Sequence, residues 1–404
     1  MFITNIFYKL YCRIFQNILR WGSYIFNWDP PKLLKGQGSL KGLPNLIFKE
    51  GFKKALVVTD KNLIELGLLD PLFESLQAEG LSYLVFDRVR PNPTLENADE
   101  VAALYKSEAC DCFIAFGGGS PIDCAKSAGL RLVRPRTPLH LMQGVLKVFR
   151  KIPPIFAVPT TAGTGSEATV ATVISNPEKQ EKFAISDPAL RPFCAVLDPL
   201  LTLGLPKHIT ATTGVDALTH AVEAYVGRSN TGQTRQDALL ACRLIFENLP
   251  TACQDGGNLV ARENMLVAAH HAGLAFTRAY VGYVHAIAHK LGGYYNVPHG
   301  LANAVILPYV LEFYGSKIDK QLAQIALAIG LEGPDDAHLA RAFIEALKKL
   351  NHDLDIPHKI QELKAEDIPT LAKMALKEAN PLYPVPVLMN QSQCEDLLKK
   401  LLPS

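Results

Sequence analysis

Residues 112–126 read CFIAFGGGSPIDCAK, an apolar run followed by three glycines, a serine and the start of a helical pattern. The apolar run is typical of a buried strand, and the loop after it contains Gly118, Gly119 and Ser120. Glycines let the backbone approach a phosphate closely, and the N–H groups that begin the next helix present positive charge to it. The loop matches neither GxGxxG nor the Walker A motif, so a tight turn explains it equally well.

A second loop of similar composition lies at residues 158–167, VPTTAGTGSE, again directly after an apolar run. The hydroxyl groups of Thr160, Thr161 and Thr164 suit the oxygens of a pyrophosphate and a ribose. Two such loops after separate strands favour a dinucleotide over a mononucleotide. Asp60 follows an earlier apolar run, where a carboxylate can bind both ribose hydroxyls and repel a 2′-phosphate, which favours NAD over NADP. The alternative for Asp60 is a helix N-cap.

Apolar runs that predict strands recur along the first half of the chain, at 55–58, 84–86, 112–116, 155–158 and 195–197. Short strands separated by helical segments of about 10–15 residues indicate βαβ units, so we expect a parallel, Rossmann-like sheet. After residue 199 the pattern is helical, with stretches at 212–226, 235–248, 261–275 and 284–291. The predicted organisation is an N-terminal amphipathic extension at 1–30, an NAD-binding α/β domain at 31–205 and an all-α domain at 206–404.

The overall composition is that of a globular protein in a reducing compartment. The 404 residues are 48% hydrophobic and carry a formal net charge of +2. This balance argues against a disordered chain and against a nucleic-acid binder, which needs a basic surface. The eight cysteines form no CxxC pair, which favours free thiols and a cytoplasmic location. No apolar run approaches the roughly 18–20 residues of a membrane span.

The first 30 residues differ from the rest of the chain. Apolar residues recur at close to helical spacing, and the only charged side chains before Asp29 are Lys9, Arg13 and Arg20. One interpretation is an amphipathic helix docked over an apolar patch or a subunit interface. Another is a peripheral membrane contact through residues 1–28, with the basic side chains toward anionic lipid. A transit peptide is disfavoured because serine is almost absent.

Five candidate metal ligands lie within 84 residues of the helical half. Asp216 and His220 are one helical turn apart, as are His285 and His289, and His299 follows. Residues at positions i and i+4 share one face of a helix. A carboxylate with several imidazoles suits Fe²⁺ or Zn²⁺ better than Mg²⁺ or Ca²⁺. The alternative is a set of structural histidines.

Several strings together resemble the group III, iron-containing alcohol dehydrogenases, the family that includes lactaldehyde reductases and 1,3-propanediol dehydrogenases. The strings are residues 117–123, 159–167, DPLLTLGL at 198–205, GVDALTHAVEAY at 214–225 and the block 272–304. The similarity begins near residue 34 and continues to the C-terminus. It implies a dehydroquinate synthase-like architecture, with the all-α domain binding the metal. It also implies an NAD(H)-linked enzyme that interconverts small primary alcohols or diols and aldehydes.

The resemblance also assigns roles to individual residues. It implies that Asp216, His220, His285 and His299 bind the metal, which is Fe²⁺ by the family's name, although Zn²⁺ suits the same donors. His289 would then lie beside the nicotinamide and relay the proton. The residues implied in NAD(H) binding are Asp60, Asn92, Gly118, Gly119, Ser120, Thr160, Thr161, Thr164, Thr169 and Lys182.

Other points rest on the same resemblance. Phe276 matches a substrate-pocket position, with a core phenylalanine as the alternative. Family members are often dimers, so we expect a homodimer or a higher homo-oligomer. Two other functions stay open: a dehydroquinate synthase-like or glycerol dehydrogenase-like enzyme of the same fold, and an inactive assembly protein. The four-ligand pattern disfavours a glycerol dehydrogenase, and the complete set of ligands and loops disfavours an inactive chain.

Overall fold

The structure is a computed structural model that describes residues 2–26, 28–176 and 181–403. The chain divides into two compact units. One comprises Trp28–Leu205 and Gly257–His270, and the other comprises Met1–Asn27, Pro206–Gly256 and His271–Ser404. Within the described residues the strands are β1 (Lys32–Lys35), β2 (Lys54–Val58), β3 (Ser82–Phe86), β4 (Cys112–Gly117), β5 (Gly144–Val145), β6 (Ile155–Pro159), β7 (Ala171–Asn176), β8 (Glu181–Ser186) and β9 (Cys194–Leu197).

Six strands form a sheet in the order β1-β9-β6-β4-β2-β3, and every neighbouring pair is parallel. The five predicted strands are β2, β3, β4, β6 and β9, so the predicted parallel sheet is confirmed. β4 and β6 are buried along their whole length, as expected of apolar strands covered on both faces. From β3 the chain returns to β4 on the other side of β2. The carboxyl ends of β2 and β4 therefore flank a switch point, where open α/β sheets bind ligands.

A second, small sheet has the order β5-β8-β7 and was not predicted from the sequence. β7 and β8 pair in antiparallel fashion, and β5 runs parallel to β8. β7 alternates between buried and half-buried residues, the pattern of a strand with one covered face.

The α-helices are long in the second half of the chain, as the periodicity predicts. Those in the described residues are α1 (Phe2–Gly22), α2 (Leu43–Lys49), α3 (Lys61–Glu65), α4 (Asp70–Ala78), α5 (Leu95–Ser107), α6 (Gly119–Val133), α7 (Lys207–Val226), α8 (Gly232–Gln254), α9 (Leu259–Ala279), α10 (Tyr283–Tyr295), α11 (His299–Tyr314), α12 (Asp319–Ala328), α13 (Asp336–Asp353), α14 (Ile368–Ala379) and α15 (Gln391–Lys399).

Helix α7 is the centre of the helical unit, and almost all of its residues after Thr213 are buried. Two glycines let other helices approach it closely. A Cβ atom on Gly214 would lie 2.4 Å from Cδ1 of Leu249 in α8. A Cβ atom on Gly300, in the first turn of α11, would lie 2.4 Å from the backbone oxygen of Thr212. The start of α11 therefore lies directly against α7, beside Asp216.

The N-terminal helix α1 docks on the loop at residues 381–386 through the side that carries Cys12, Arg13 and Gln16. Cys12 is fully buried, and the side chains of Arg13 and Gln16 donate hydrogen bonds to backbone carbonyls of that loop. Phe15 and Leu19 are half-buried, whereas most other large apolar side chains of α1 in the described residues are exposed. The helix thus packs on the protein and leaves much of its apolar surface open. Among the described helices, none combines the length and hydropathy needed to cross a bilayer.

Candidate metal centre and nucleotide loops

Four of the five predicted metal-binding side chains converge on one point. Asp216 and His220 lie on α7, His285 lies on α10, and His299 begins α11. One candidate ligand atom from each of them lies within 4.8 Å of the other three. Asp216, His220 and His285 are buried, and His299 is partly buried.

A neutral amide group lies among these atoms. Nδ2 of Asn303, one turn after His299, lies 2.6 Å from Oδ1 of Asp216, 3.2 Å from Nε2 of His285 and 3.1 Å from Nε2 of His299. An amide NH₂ has two hydrogens, so it cannot satisfy three acceptors at once. A bound cation would satisfy the buried lone pairs that the amide group leaves without a hydrogen-bond donor. The donor set fits a divalent transition metal.

The electrostatics of the cluster also fit a cation. Burial lowers the pKa of His220 to about 4 and that of His285 and His299 to about 3, so the imidazoles are neutral and have free lone pairs at pH 7. Burial raises the pKa of Asp216, but its interactions with the three histidines and the hydrogen bond from Asn303 together hold the pKa below its ordinary value. The cluster therefore offers one carboxylate and three neutral imidazoles.

A buried carboxylate orients one of these ligands. Glu223 accepts hydrogen bonds from the backbone N–H groups of Gly282 and Val284 at 2.9 and 2.8 Å, and its Oε2 lies 2.6 Å from Nδ1 of His285. With Nδ1 donating to Glu223, Nε2 of His285 carries the lone pair that faces the cluster. Burial raises the pKa of Glu223 to about 7 against the opposing effect of these N–H donors.

His289 lies beside the four candidate ligands rather than among them. Its ring is nearly parallel to that of His299, with 5.3 Å between the ring centroids. Its Nδ1 lies 2.6 Å from Oε1 of Glu378 on α14, which also accepts a hydrogen bond of 2.9 Å from the hydroxyl of Tyr383. The other oxygen of Glu378 forms a 2.5 Å ion pair with Lys290. Burial raises the pKa of Glu378, but His289 and Lys290 outweigh it and lower the pKa to about 2.

Phe276 lies on α9 against the same cluster. Its ring stacks on that of His220 with a centroid distance of 4.1 Å and an interplanar angle of 13°. The side chain is neither fully buried nor exposed. It therefore covers one candidate ligand with an apolar surface.

The two glycine loops of the α/β unit touch each other. β4 ends at Gly117, and α6 begins at Gly119. A Cβ atom on Gly119 would lie 2.9 Å from Cγ2 of Thr164, and one on Gly118 would lie 3.3 Å from Oγ1 of Thr161. A Cβ atom on Gly119 would therefore displace Thr164 of the second loop, whereas one on Gly118 would make a tight contact with Thr161.

Three further predicted residues adjoin these loops. Oγ of Ser120 accepts a 3.3 Å hydrogen bond from the backbone N–H of Asn92, and Nζ of Lys182 donates to Oδ1 of Asn92 at 2.8 Å. Ser120, Asn92 and Lys182 thus form one connected group at the start of α6. The structure brings them together although 90 residues separate Asn92 from Lys182.

A buried lysine that the sequence interpretation did not consider fixes the second loop. Nζ of Lys126 on α6 lies 2.7 Å from the carbonyl oxygen of Ser166, 3.0 Å from that of Thr169 and 2.7 Å from that of Ala171. The hydroxyl of Thr169 is also 3.0 Å from this nitrogen, and Thr160 and Thr169 are buried. Burial lowers the pKa of Lys126 to about 8. The side chain of Thr169 is therefore engaged in holding the loop.

Asp60 lies after β2 and serves as the N-cap of α3. Its Oδ1 accepts a 3.2 Å hydrogen bond from the backbone N–H of Leu63. Asp60 therefore does cap a helix, and this role uses one of its two carboxylate oxygens. The position at the carboxyl end of β2, beside the switch point, still suits the predicted contact with a ribose.

With this geometry described, the chain can be compared with known proteins. The family described as "Iron-containing alcohol dehydrogenase" matches residues 30–199, and "Fe-containing alcohol dehydrogenase family, C-terminal" matches residues 210–402. The chain belongs to the iron-containing alcohol dehydrogenase family. This membership confirms the predicted fold class and the predicted class of activity, NAD(H)-linked interconversion of alcohols and aldehydes.

Individual relatives of the iron-containing alcohol dehydrogenase family cover most of the chain. The 1,3-propanediol dehydrogenase of Klebsiella pneumoniae is 43% identical over 336 residues, which are 82% of this chain and 87% of the relative. Alcohol dehydrogenase 4 of Saccharomyces cerevisiae is 39% identical over 375 residues, 92% of this chain and 97% of the relative. A crystal structure of 1,3-propanediol oxidoreductase matches with a TM-score of 0.89 and 38% identity, covering 93% of this chain and 99% of that one.

Sequence reasoning missed the side chains that support the site in this iron-containing alcohol dehydrogenase: Glu223, Asn303, Glu378 and Lys126. A signal was present for two of them. Glu223 lies three residues after His220, and Asn303 lies four residues after His299, so each shares a helix face with a ligand. Glu378 and Lys126 are placed by contacts with distant segments, which spacing along the chain does not indicate.

Proposed function

We propose that the protein is an NAD(H)-dependent alcohol dehydrogenase or aldehyde reductase that acts on a small primary alcohol or diol, with a divalent metal held by Asp216, His220, His285 and His299. The observation that carries the proposal is the convergence of four neutral or anionic donor atoms within 4.8 Å of one another. Ferrous iron, after which the family is named, is the ion we favour, and zinc fits the same donors.

The chain's own residues have separate tasks in this reaction. When bound, the ion would polarise the substrate oxygen, and NAD(H) would accept or return the hydride. Glu223 holds Nδ1 of His285 and so directs Nε2 toward the cluster. Phe276 shields the ring of His220 and presents an apolar wall to the substrate. Asn303 donates a 2.6 Å hydrogen bond to Oδ1 of Asp216 and so orients this carboxylate.

A proton must leave the alcohol oxygen during oxidation, and His289 is the group that we assign to this transfer. Its Nδ1 faces Glu378, which fixes the ring and leaves Nε2 as the proton acceptor, either directly or through a ribose hydroxyl. Glu378 is therefore a positioning residue. Its hydrogen bond with Tyr383 and its ion pair with Lys290 hold the carboxylate on the side of His289.

The nucleotide is assigned to the glycine loops of the α/β unit. We assign its phosphates to the backbone of Gly118 and Gly119 and to the hydroxyls beside them, because the start of α6 offers unpaired N–H groups. Asp60 is assigned to the adenosine ribose. Lys182 and Asn92, which form a connected group with Ser120, are assigned to contacts with the same nucleotide. The remaining members of this proposed cofactor site are Thr160, Thr161, Thr164 and Thr169.

The proposal includes a homodimer or a higher homo-oligomer, a cytoplasmic location and a peripheral membrane contact through residues 1–28. A small-molecule substrate requires no nucleic-acid partner, and the near-neutral net charge of +2 supports this view.

Metal reconstitution tests the enzymatic part of the proposal. Protein stripped by a chelator would be reloaded separately with Fe²⁺ and Zn²⁺, and NADH formation would be followed with 1-propanol and 1,2-propanediol. We expect turnover to return with one of the two ions, which identifies the working metal. Normal NAD⁺ binding without turnover on a panel of primary alcohols and diols with either ion would contradict the proposed activity.

A further inference from the structure

Helix α1 presents a row of large apolar side chains to solvent. Phe7, Ile14, Ile18 and Trp21 are 65%, 50%, 64% and 73% exposed. At about 100° per residue these four positions fall within about 60° of one another on the helix, which makes them one continuous stripe. A continuous exposed apolar patch marks a surface that something else covers.

The stripe is held outward by the way the helix docks. Nη1 and Nη2 of Arg13 donate hydrogen bonds of 2.7 and 2.9 Å to the carbonyl oxygens of Val385 and Pro386. Nε2 of Gln16 donates at 2.8 Å to the carbonyl oxygen of Tyr383. Gln16 and the fully buried Cys12 lie on the side of the helix opposite the stripe. Turning the stripe inward would break these bonds, so its exposure is part of the docked structure.

The charges of α1 are all of one sign. The helix Phe2–Gly22 contains Lys9, Arg13 and Arg20 and no acidic residue. These three positions fall within about 40° of one another, between the docked side and Ile6 and Leu10, two further exposed apolar residues that widen the stripe toward them. Tyr8 and Tyr11 lie toward the other border of the stripe. Basic side chains on one border and aromatic rings on the other are typical of helices that lie at a lipid surface with anionic headgroups.

A second copy of the chain fits this surface less well. Pairing two copies of α1 would bring their basic side chains near one another, and neither helix has an acidic side chain to neutralise them.

We propose that α1 is a membrane-surface helix that lies flat on a bilayer containing anionic phospholipid. The stripe of Phe7, Ile14, Ile18 and Trp21 enters the acyl-chain boundary, while Lys9 lies at the phosphate headgroups. This inference deepens the peripheral contact included in the proposed function and uses none of the residues assigned to catalysis. Membrane binding and dehydrogenase activity can therefore fail independently.

Vesicle binding of the full-length, metal-loaded protein tests the proposal. The probes are vesicles of phosphatidylcholine alone and vesicles that contain 30% phosphatidylserine, in co-sedimentation at low and high salt. The chain has two tryptophans, so a Trp28→Phe background isolates the emission of Trp21. We expect co-sedimentation with the anionic vesicles, a blue shift of the Trp21 emission and at least tenfold weaker binding in high salt.

Two variants test whether vesicle binding depends on the stripe itself or on exposed apolar side chains in general. Ile14→Ser/Ile18→Ser removes two exposed members of the stripe and should abolish vesicle binding while the melting temperature and turnover stay unchanged. The matched control, Leu66→Ser/Val260→Ser, removes two apolar side chains that are 72% and 70% exposed elsewhere and should bind like the parent protein. Lys9→Glu should weaken binding to anionic vesicles several-fold.

Three results would overturn the inference. One is an active enzyme that does not bind anionic vesicles. Another is binding that survives Ile14→Ser/Ile18→Ser. The third is a change of oligomeric state in that variant, measured by analytical ultracentrifugation, without vesicle binding in the parent protein, which would assign the stripe to a second copy. Vesicle binding without turnover would contradict the proposed activity and leave this inference standing.

Discussion

The candidate metal centre and the candidate nucleotide loops are held in place by different means. Around the ligands, side chains do the positioning: Glu223 holds His285, and Glu378 holds His289. In the loops, the backbone is positioned directly, because Gly119 leaves no room for a Cβ atom beside Thr164 and Lys126 binds three carbonyl oxygens. The comparison indicates that changes of charge should damage the first region and that changes of volume should damage the second.

Loss of a ligand should have the largest effect. In His285→Ala we expect kcat to fall at least about a thousandfold, because polarisation of the substrate oxygen by an ion contributes several kcal/mol. Metal content measured by mass spectrometry should fall with it, while the affinity for NAD⁺ measured by calorimetry should not change. His352→Ala, at an exposed histidine, should keep metal and turnover. If His285→Ala lost affinity for NAD⁺ as strongly as it lost turnover, the candidate metal centre and the nucleotide loops would not be independent of each other.

Neutralising the carboxylate behind His285 should have the next largest effect. Glu223→Gln keeps the volume of the side chain but removes the charge that stabilises the imidazole, so metal affinity should fall about 10- to 100-fold. Competition with a chelator of known affinity measures this change. Glu247→Gln, an exposed position on α8, is the control. Unchanged competition in Glu223→Gln would leave Glu223 with a purely structural role.

Glu378→Gln distinguishes proton transfer from metal binding within the same region. We expect about a tenfold loss of kcat with full metal content, because His289 loses the group that orients it. The solvent deuterium isotope effect on kcat should rise, since proton transfer becomes slower than the other steps. A loss of metal, or an unchanged isotope effect, would argue against the relay.

Added volume should affect the loops. In Gly119→Ala the new Cβ atom would meet Cγ2 of Thr164 at 2.9 Å, so the loops must separate, and we expect KM for NAD⁺ to rise about tenfold through a cost of roughly 1–3 kcal/mol. Metal content and kcat at saturating NAD⁺ should be unchanged. Gly232→Ala has no atom within 4 Å of the added carbon and serves as the control. A normal KM in Gly119→Ala would place the nucleotide elsewhere.

The smallest effect concerns pH. The pKa of Lys126 is lowered by burial from 10.5 to about 8, so between these values the unfolded chain binds more protons than the folded one. The free energy of unfolding should therefore increase as the pH rises through this window, by on the order of 1 kcal/mol per pH unit. Urea unfolding at pH 8, 9 and 10 measures it. Lys126→Met should lack this increase, and an equal slope in both proteins would contradict the shift.

How much the sequence predicts depends on where the determining contacts lie. The five strands β2, β3, β4, β6 and β9 were predicted because each contains an apolar run between polar turns, which is a local signal. β1, with the sequence KLLK, was missed because it is a four-residue edge strand with lysines at both ends. β7 and β8 were missed because neither forms a continuous apolar run, and their pairing is set by contacts that the chain makes only when folded.

The same distinction holds within the site. The i, i+4 spacing brings Asp216 and His220 together on α7, but their meeting with His285 and His299 requires α10 and α11 to approach that helix. The approach depends on Gly300, whose missing side chain gives room to the backbone of Thr212. The family resemblance supplied the ligand set for this reason. Glu378 lies 89 residues after His289 in the sequence, so the local sequence pattern around either residue does not indicate their contact.

The cysteines have a practical consequence. All eight are free and buried, and Cys12 lies on the docked side of α1, next to Arg13, which binds the loop at residues 381–386. A thiol reagent reaches a buried cysteine only while the surrounding structure is open. The labelling rate of Cys12 therefore reports how often α1 lifts from the protein, while the other seven thiols report deeper openings. Peptide-resolved labelling of Cys12 thus measures the release of the N-terminal helix without any substitution in the chain.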